Sequence, residues 1–277
     1  MDQEPAPAPS AMRRYVAVLL FVATWMAAGW ALHLDVGVYL LLGVPSTVLF
    51  QRFVRQRPLL ALWIRSAPPF RLGRKGVVIA AALSVIPVIT ILGMLAETDW
   101  AGSVSGLVAC VGAVGAAYAI VNFKREHLRP LAWCLLITSA LDAIQWTLFL
   151  TVGGMEFKSI EGGIAARLAI LVFSFLQYVA ITFVMEEVTF RMLDDHLHEG
   201  RRGLGVASAV FLSALWGLWH LPGTEDLNWQ VIAVLLYVHV PYGVCLSLFW
   251  RRTGTLLIPA LAHSLGDAVR DAITAAG

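Results

Sequence analysis

The sequence predicts an all-α protein, a polytopic transmembrane bundle of about nine helices with a cytoplasmic N-terminus. Three observations carry this. The 277 residues are 59% hydrophobic and 14% charged, and the mean hydropathy is +0.76, far from the balance of soluble globular domains. Apolar runs of about 18–22 residues recur along the chain, each long enough to cross the hydrocarbon layer as a helix. Basic residues collect on alternate connections between the runs, as the positive-inside rule requires. No connection is long enough to hold a soluble domain. The lipid bilayer is the expected partner, and no nucleic-acid partner is expected.

Residues 1–14 open with a Pro/Ala-rich stretch and end in Arg13 and Arg14, which reads as a disordered cytoplasmic tail. The next run is long and lacks a small-x-small cleavage site, so it is expected to stay as a first membrane helix and not to be removed as a signal peptide. Helices are expected at 15–33, 36–53, 76–95, 102–122 and 131–152, in an accessory region spanning 15–160. Four more, at 166–190, 204–221, 229–250 and 255–272, fall in a second region, 161–277.

The connections on one side carry Arg13, Arg14, Arg52, Arg55, Arg57, Arg65, Arg71, Arg74, Lys75, Lys124, Arg125, Arg129, Arg191, Arg201, Arg202, Arg251 and Arg252, seventeen of the twenty basic residues. The other side carries Asp35, Glu97, Asp99, Glu156, Glu161, Glu225 and Asp226. Nine helices then place the C-terminus outside. Arginine greatly outnumbers lysine and alanine is abundant, a bias that fits a bacterial inner membrane.

Residues 54–75 mix Trp and Leu with arginines and fit either an interfacial segment on the anionic inner leaflet or a basic loop. Cys110, Cys134 and Cys245 lie in apolar runs without a CxxC spacing, so buried thiols are expected. Gly102 to Gly106 open a small-residue helix suited to close packing.

Chemistry concentrates in the last four expected helices. Glu186, Glu187 and Arg191 sit in an otherwise oily run. Charge at bilayer depth is costly unless paired or wetted, which makes it a functional hypothesis. At about 100° per residue, Glu187 and Arg191 share a face, whereas Glu186 lies about 140° from Arg191 and is left to face a cavity. A salt bridge at a helix end explains the pair equally well on its own. Trp216 and His220 also share a face, although a lone histidine at a helix end is more often a satisfied one than a ligand. With the turn centred near 200–203, Glu186 lies about 16 residues before it and His220 about 18 after, so an antiparallel hairpin brings them to nearly one depth. His263 and Asp267 stand four apart on the last helix, where burial without purpose is costly. Separate helices thus supply Glu186/Glu187, His220 and His263/Asp267, and a shared intramembrane site is favoured over three unrelated structural uses. Asp142 is expected to be a polar contact between helices and a minor candidate for the site. His239 is expected to pack, with a position that also suits the cavity wall.

The ordered set Glu186-Glu187-x-x-x-Arg191, Trp216-x-x-x-His220 and His263-x-x-x-Asp267 resembles the CPBP intramembrane proteases. This group holds the type II CAAX prenyl endopeptidases and bacterial bacteriocin-processing and immunity proteins. The resemblance covers about residues 165–272 and includes the lead-in Arg251 to His263. Each motif is short; the ordered set is specific. Two positions depart from the family: Trp216 stands where Phe is usual, and Asp267 where Asn is more frequent. An ionised aspartate cannot donate to an oxyanion. Other intramembrane proteases fit less well. His196-Leu-His198-Glu199 is not His-Glu-x-x-His and is expected in a polar connector, Gly102-Ser-Val-Ser105-Gly106 is not Gly-x-Ser-Gly, and Gly266-Asp267 lacks the first glycine of Gly-x-Gly-Asp.

Chemistry and resemblance together imply peptide-bond hydrolysis of a membrane-associated or lipidated peptide or protein. Glu186 with His220 is expected to activate a water, and His263, with Asp267, to stabilise the oxyanion or position the water. Glu187, Arg191 and Trp216 are expected to support these residues. Glu186, His220 and His263 also match a zinc shell with one open position, and the residues leave metal-dependent and metal-free action both open. The alternatives are a transporter relaying protons or binding a solute, and a non-catalytic scaffold or immunity protein. A transporter predicts polar groups in both halves of the chain, and here they concentrate in one.

Overall fold

The structure, a computed structural model, describes residues 10–151, 162–199, 205–224 and 227–275. The expected tail up to residue 9, the connection holding Glu156 and Glu161, the turn at 200–204 with Arg201 and Arg202, and Glu225 and Asp226 lie outside the described residues.

Short polar residues start several helices by accepting a free first-turn amide. Ser10 does so for α1 (Ala11–Ala31), so Arg13 and Arg14 lie inside a helix and not in a tail. Asp35 caps α2 (Val36–Leu49), which continues into a π turn at Phe50–Val54. After α3 (Gly73–Ala96), Asp99 caps α4 (Trp100–Val121). Then come α5 (Leu128–Thr151), α6 (Gly163–Thr182), α7 (Glu186–His198) and α8 (Val206–Trp219). Asn228 caps α9 (Trp229–Thr253), and α10 (Leu257–Thr274) closes the chain.

The fold is a polytopic helical bundle, and no strand occurs among the described residues. Eight of these helices are long and apolar enough to cross a membrane: α1 to α6, α8 and α9. The ninth expected span, α10, has 18 residues but carries Asp267, Arg270 and Asp271. It still runs the depth of the bundle: the Leu256 amide donates to the Trp63 carbonyl at one end, and Arg167 reaches the Ala272 carbonyl at the other.

Three further expectations change. The helix expected at 166–190 breaks at Phe183–Met185, and α7 starts afresh at Glu186. A broken helix leaves carbonyls without partners. Here the Trp63 indole nitrogen donates to the Phe183 carbonyl at 2.8 Å, a tertiary contact invisible to local periodicity. His196 and His198, expected in a connector, are helical and end α7. Arg191, counted with the basic connections, is 1% exposed and faces inward.

The 54–75 segment is a strap packed across the arginine-rich end. Ile64 bridges Thr255, the Arg65 amide donates to the Gly254 carbonyl, and Tyr118 donates to the Pro68 carbonyl. The small-residue helix α4 packs closely on α6: a Cβ added at Gly112 would lie 1.8 Å from the Ala180 carbonyl oxygen. Cys134 and Cys245 are buried free thiols, and Cys110 is a partly buried one. An aromatic core of Trp25, Tyr39, Phe190 and Trp219 ties α1 and α2 to α7 and α8, which fixes the base on which the polar residues of α7 to α10 stand.

Candidate active site

The break before α7 puts Glu186 and Glu187 in the first turn of a helix, where free amides favour carboxylates. The two point different ways, as the 100° rotation requires. Glu187 is wholly buried. Its Oε1 lies 2.7 Å from Arg191 Nε, an ion pair out of line for a hydrogen bond. Its Oε2 accepts from His263 Nδ1 at 3.0 Å. Arg191 in turn donates to the Ser247 hydroxyl of α9 at 2.6 Å. One cluster therefore joins α7, α9 and α10.

Glu186 faces a cavity of about 610 Å³. Across it, at the end of α8, stands His220, with Nε2 3.5 Å from Glu186 Oε1. The two residues stand at one depth, as the spacing about the turn between α7 and α8 predicts. His220 Nδ1 donates to the Trp216 carbonyl at 2.9 Å. A carbonyl only accepts, so the proton sits on Nδ1 and Nε2 is turned to Glu186 with its lone pair free. Trp216, expected as an aromatic wall, also donates its indole N–H to Glu186 Oε1. His239 packs at a tilt against His220 with ring centroids 4.2 Å apart, and its Nδ1 donates to the Leu235 carbonyl at 2.7 Å. It lines the cavity, as Asp142 does.

On α10, His263 Nε2 lies 3.4 Å from Asp267 Oδ2. Asp267 Oδ1 accepts from Arg270 at 2.7 Å, and Arg270 also donates to the Tyr178 hydroxyl at 3.0 Å. Arg270 escaped the sequence reading. Its spacing of three from Asp267 was the available signal, but it lay at the polar tail of the last expected span.

Glu186, His220, His263 and Asp267 thus line one cavity. Glu187 contacts His263 and Trp216 contacts Glu186, while Arg191 reaches the group only through Glu187. The zinc shell read from Glu186, His220 and His263 does not fit. His263 meets a carboxylate at each ring nitrogen, Glu187 at Nδ1 and Asp267 at Nε2, so both nitrogens serve as donors and neither offers a lone pair to a metal. Among the described residues no cluster of three or more His, Cys, Asp or Glu side chains has the arrangement of a metal site.

Comparison with known families places part of the chain. Residues 168–269 match the family model of the type II CAAX prenyl endopeptidases described as Rce1-like. No curated protein and no solved structure matches the chain. The matched segment contains all three motifs, and the resemblance to the CPBP family is borne out over these residues. The match supports a CAAX-type intramembrane endopeptidase in general, in a multi-pass membrane protein.

Proposed function

From the match over residues 168–269, we propose that this protein hydrolyses a peptide bond of a membrane-associated or lipidated peptide or protein, using a water activated by Glu186 and His220. The observation that carries the proposal is the facing pair. A carboxylate and an imidazole lone pair from different helices stand 3.5 Å apart at the wall of one cavity. That gap is too long for a strong direct bond, and both acceptors border the cavity, where a water can donate to the carboxylate while lying against the imidazole. Glu186 takes the proton of the attacking water, and His220, fixed by the Trp216 carbonyl, orients the water and passes the proton on to the leaving amine. The indole N–H of Trp216 holds the Glu186 carboxylate in place.

His263 supports the developing oxyanion. Its Nδ1 is anchored on Glu187, and its Nε2–H, only loosely held by Asp267 at 3.4 Å, is left to donate to a new negative oxygen formed beside it. Asp267, tied to Arg270, positions the ring and does not itself donate. No step runs through a metal.

The test is cleavage of a lipidated or transmembrane peptide by purified protein in detergent. Glu186→Gln and His220→Ala are each expected to lower kcat by about 100-fold or more, since general acid–base groups contribute about 10²–10⁴. Wild-type rates in both variants would refute the reading. Solute uptake into proteoliposomes by the same preparation would favour the transporter instead.

A further inference from the structure

We infer that substrate reaches this site from the extracytoplasmic side, so that its class is a peptide segment presented at or within the outer leaflet. The inference rests on the proteolytic reading of the cavity, and two independent observations carry it.

The first is where the cavity lies along the helices. Arginines mark one end of the bundle: Arg14 on α1, Arg55 beyond α2, Arg129 on α5 and Arg251 on α9. The positive-inside rule makes that end cytoplasmic. The cavity is lined from the opposite ends. Val36 and Tyr39 come from the first turn of α2, and Gly223 and Thr224 from beyond α8. On α5, Asp142 lies about 20 Å and Phe149 about 30 Å beyond Arg129 at 1.5 Å per residue. His220 likewise lies about 18 Å beyond Ser208, which bonds to Arg251 at the arginine end. The cavity therefore runs outward from mid-depth. Aromatic groups at its outer part, Tyr39, Trp146 and Phe149, suit a chain arriving through the membrane interface.

The second observation is that a packed layer lies between the site and the arginine end, whose own smaller cavity of about 230 Å³ is lined by Arg55, Arg65 and Asp195 and shares no lining residue with the first. Below Glu187, the α7 residues Leu193, Asp194 and Leu197 are wholly buried. Arg251 clamps Asp194 with bonds of 2.9 and 2.6 Å. Asp195 takes Arg65 at 3.0 Å and the Trp250 indole at 2.9 Å. A packed layer with its charges paired is a plug, and opening it would break several buried ion pairs at once.

Single cysteines read this directly. Trp146→Cys, inside the cavity, and Arg57→Cys, on the arginine face, are placed in a chain whose one partly accessible thiol is removed by Cys110→Ser. Right-side-out and inverted vesicles are treated with a charged, membrane-impermeant maleimide. The expected result is modification of Trp146→Cys in right-side-out vesicles only, and of Arg57→Cys in inverted vesicles only. Modification of Trp146→Cys only from the inverted side overturns the inference, and so does an equal rate from both sides. The readout needs no catalysis. A second arm adds a soluble quenched-fluorescence peptide to each vesicle type. Cleavage confined to inverted vesicles also overturns the inference. Outside labelling with no cleavage in either orientation leaves the access route standing and counts against the proteolytic reading alone.

Discussion

Replacing Trp216 by Phe separates the two things its indole does: it walls the cavity and donates to Glu186. The CPBP pattern usually has Phe here, so a site of this kind works without the indole N–H. Trp216→Phe is therefore expected to keep activity but lower kcat by about tenfold, the scale of one charge-assisted hydrogen bond of roughly 1.5 kcal/mol. KM is expected to stay near wild type, and steady-state kinetics on one peptide would check both. A Trp216→Phe enzyme at full wild-type kcat would show that the indole only packs. Glu187 makes a different prediction. Its carboxylate is the countercharge of a buried guanidinium and anchors His263. Removing one partner of a buried pair leaves an uncompensated charge, at about 3–5 kcal/mol. Glu187→Gln is thus expected to lower the thermal midpoint strongly as well as activity, whereas Glu186→Gln lowers activity with little change in the midpoint. Equal midpoints for the two variants would remove the distinction between a working and a supporting glutamate.

At the scale of elements, hydropathy and charge alternation located every long helix, because length and apolarity are local properties. The i,i+4 rule placed Glu187 on Arg191, and hairpin arithmetic placed Glu186 opposite His220, because helical geometry fixes both. What local rules missed depends on distant partners. No proline or glycine marks the break at Phe183–Met185, and the carbonyl it frees at Phe183 is satisfied by Trp63, 120 positions away. The same strap supplies Arg65 to Asp195, which made a connector of the sequence reading into the end of α7. Nor could spacing show that His263 meets carboxylates at both nitrogens, since one of them comes from another helix. The α4–α6 contact offers a test at this scale. Any Cβ at position 112 collides with the Ala180 backbone, which cannot give way as a side chain tip does. Gly112→Ala is expected to force α4 off α6 and to destabilise by about 1–3 kcal/mol, the range for overpacking. Alanine there with an unchanged melting midpoint would mean that the two helices are not so closely seated.

For the whole molecule, the division of labour runs along the membrane normal. The arginine end is a cap of paired charges that ties the segment after α2 to α7 and α9, with Arg14 of α1 bonded to the Glu199 carbonyl, and the candidate site's groups line the cavity beyond it. His196 belongs to this cap. It packs edge-on against Phe50 of the π turn at 5.2 Å, and its Nδ1 has no partner among the described residues. Burial, with Arg55 and Arg14 nearby, pushes it down from 6.5 to about 4. The direction fixes the sign of its effect on stability. In the unfolded chain His196 takes up a proton as pH falls through 6.5, while the folded chain resists until about pH 4. The unfolded state therefore binds more protons in that window, and stability is complete above it and declines as pH falls. The loss is on the order of 1–3 kcal/mol across the window. Carboxylates elsewhere also titrate toward its lower end, so the contribution of His196 must be taken by difference. His196→Phe keeps an aromatic contact with Phe50 and removes the titration. Its melting midpoint is expected to fall less between pH 7 and pH 5 than that of the wild type, with the two curves converging or crossing as acid is added. Parallel curves over that range would mean that His196 takes up its proton as easily in the folded cap as in the unfolded chain, and that the cap admits water.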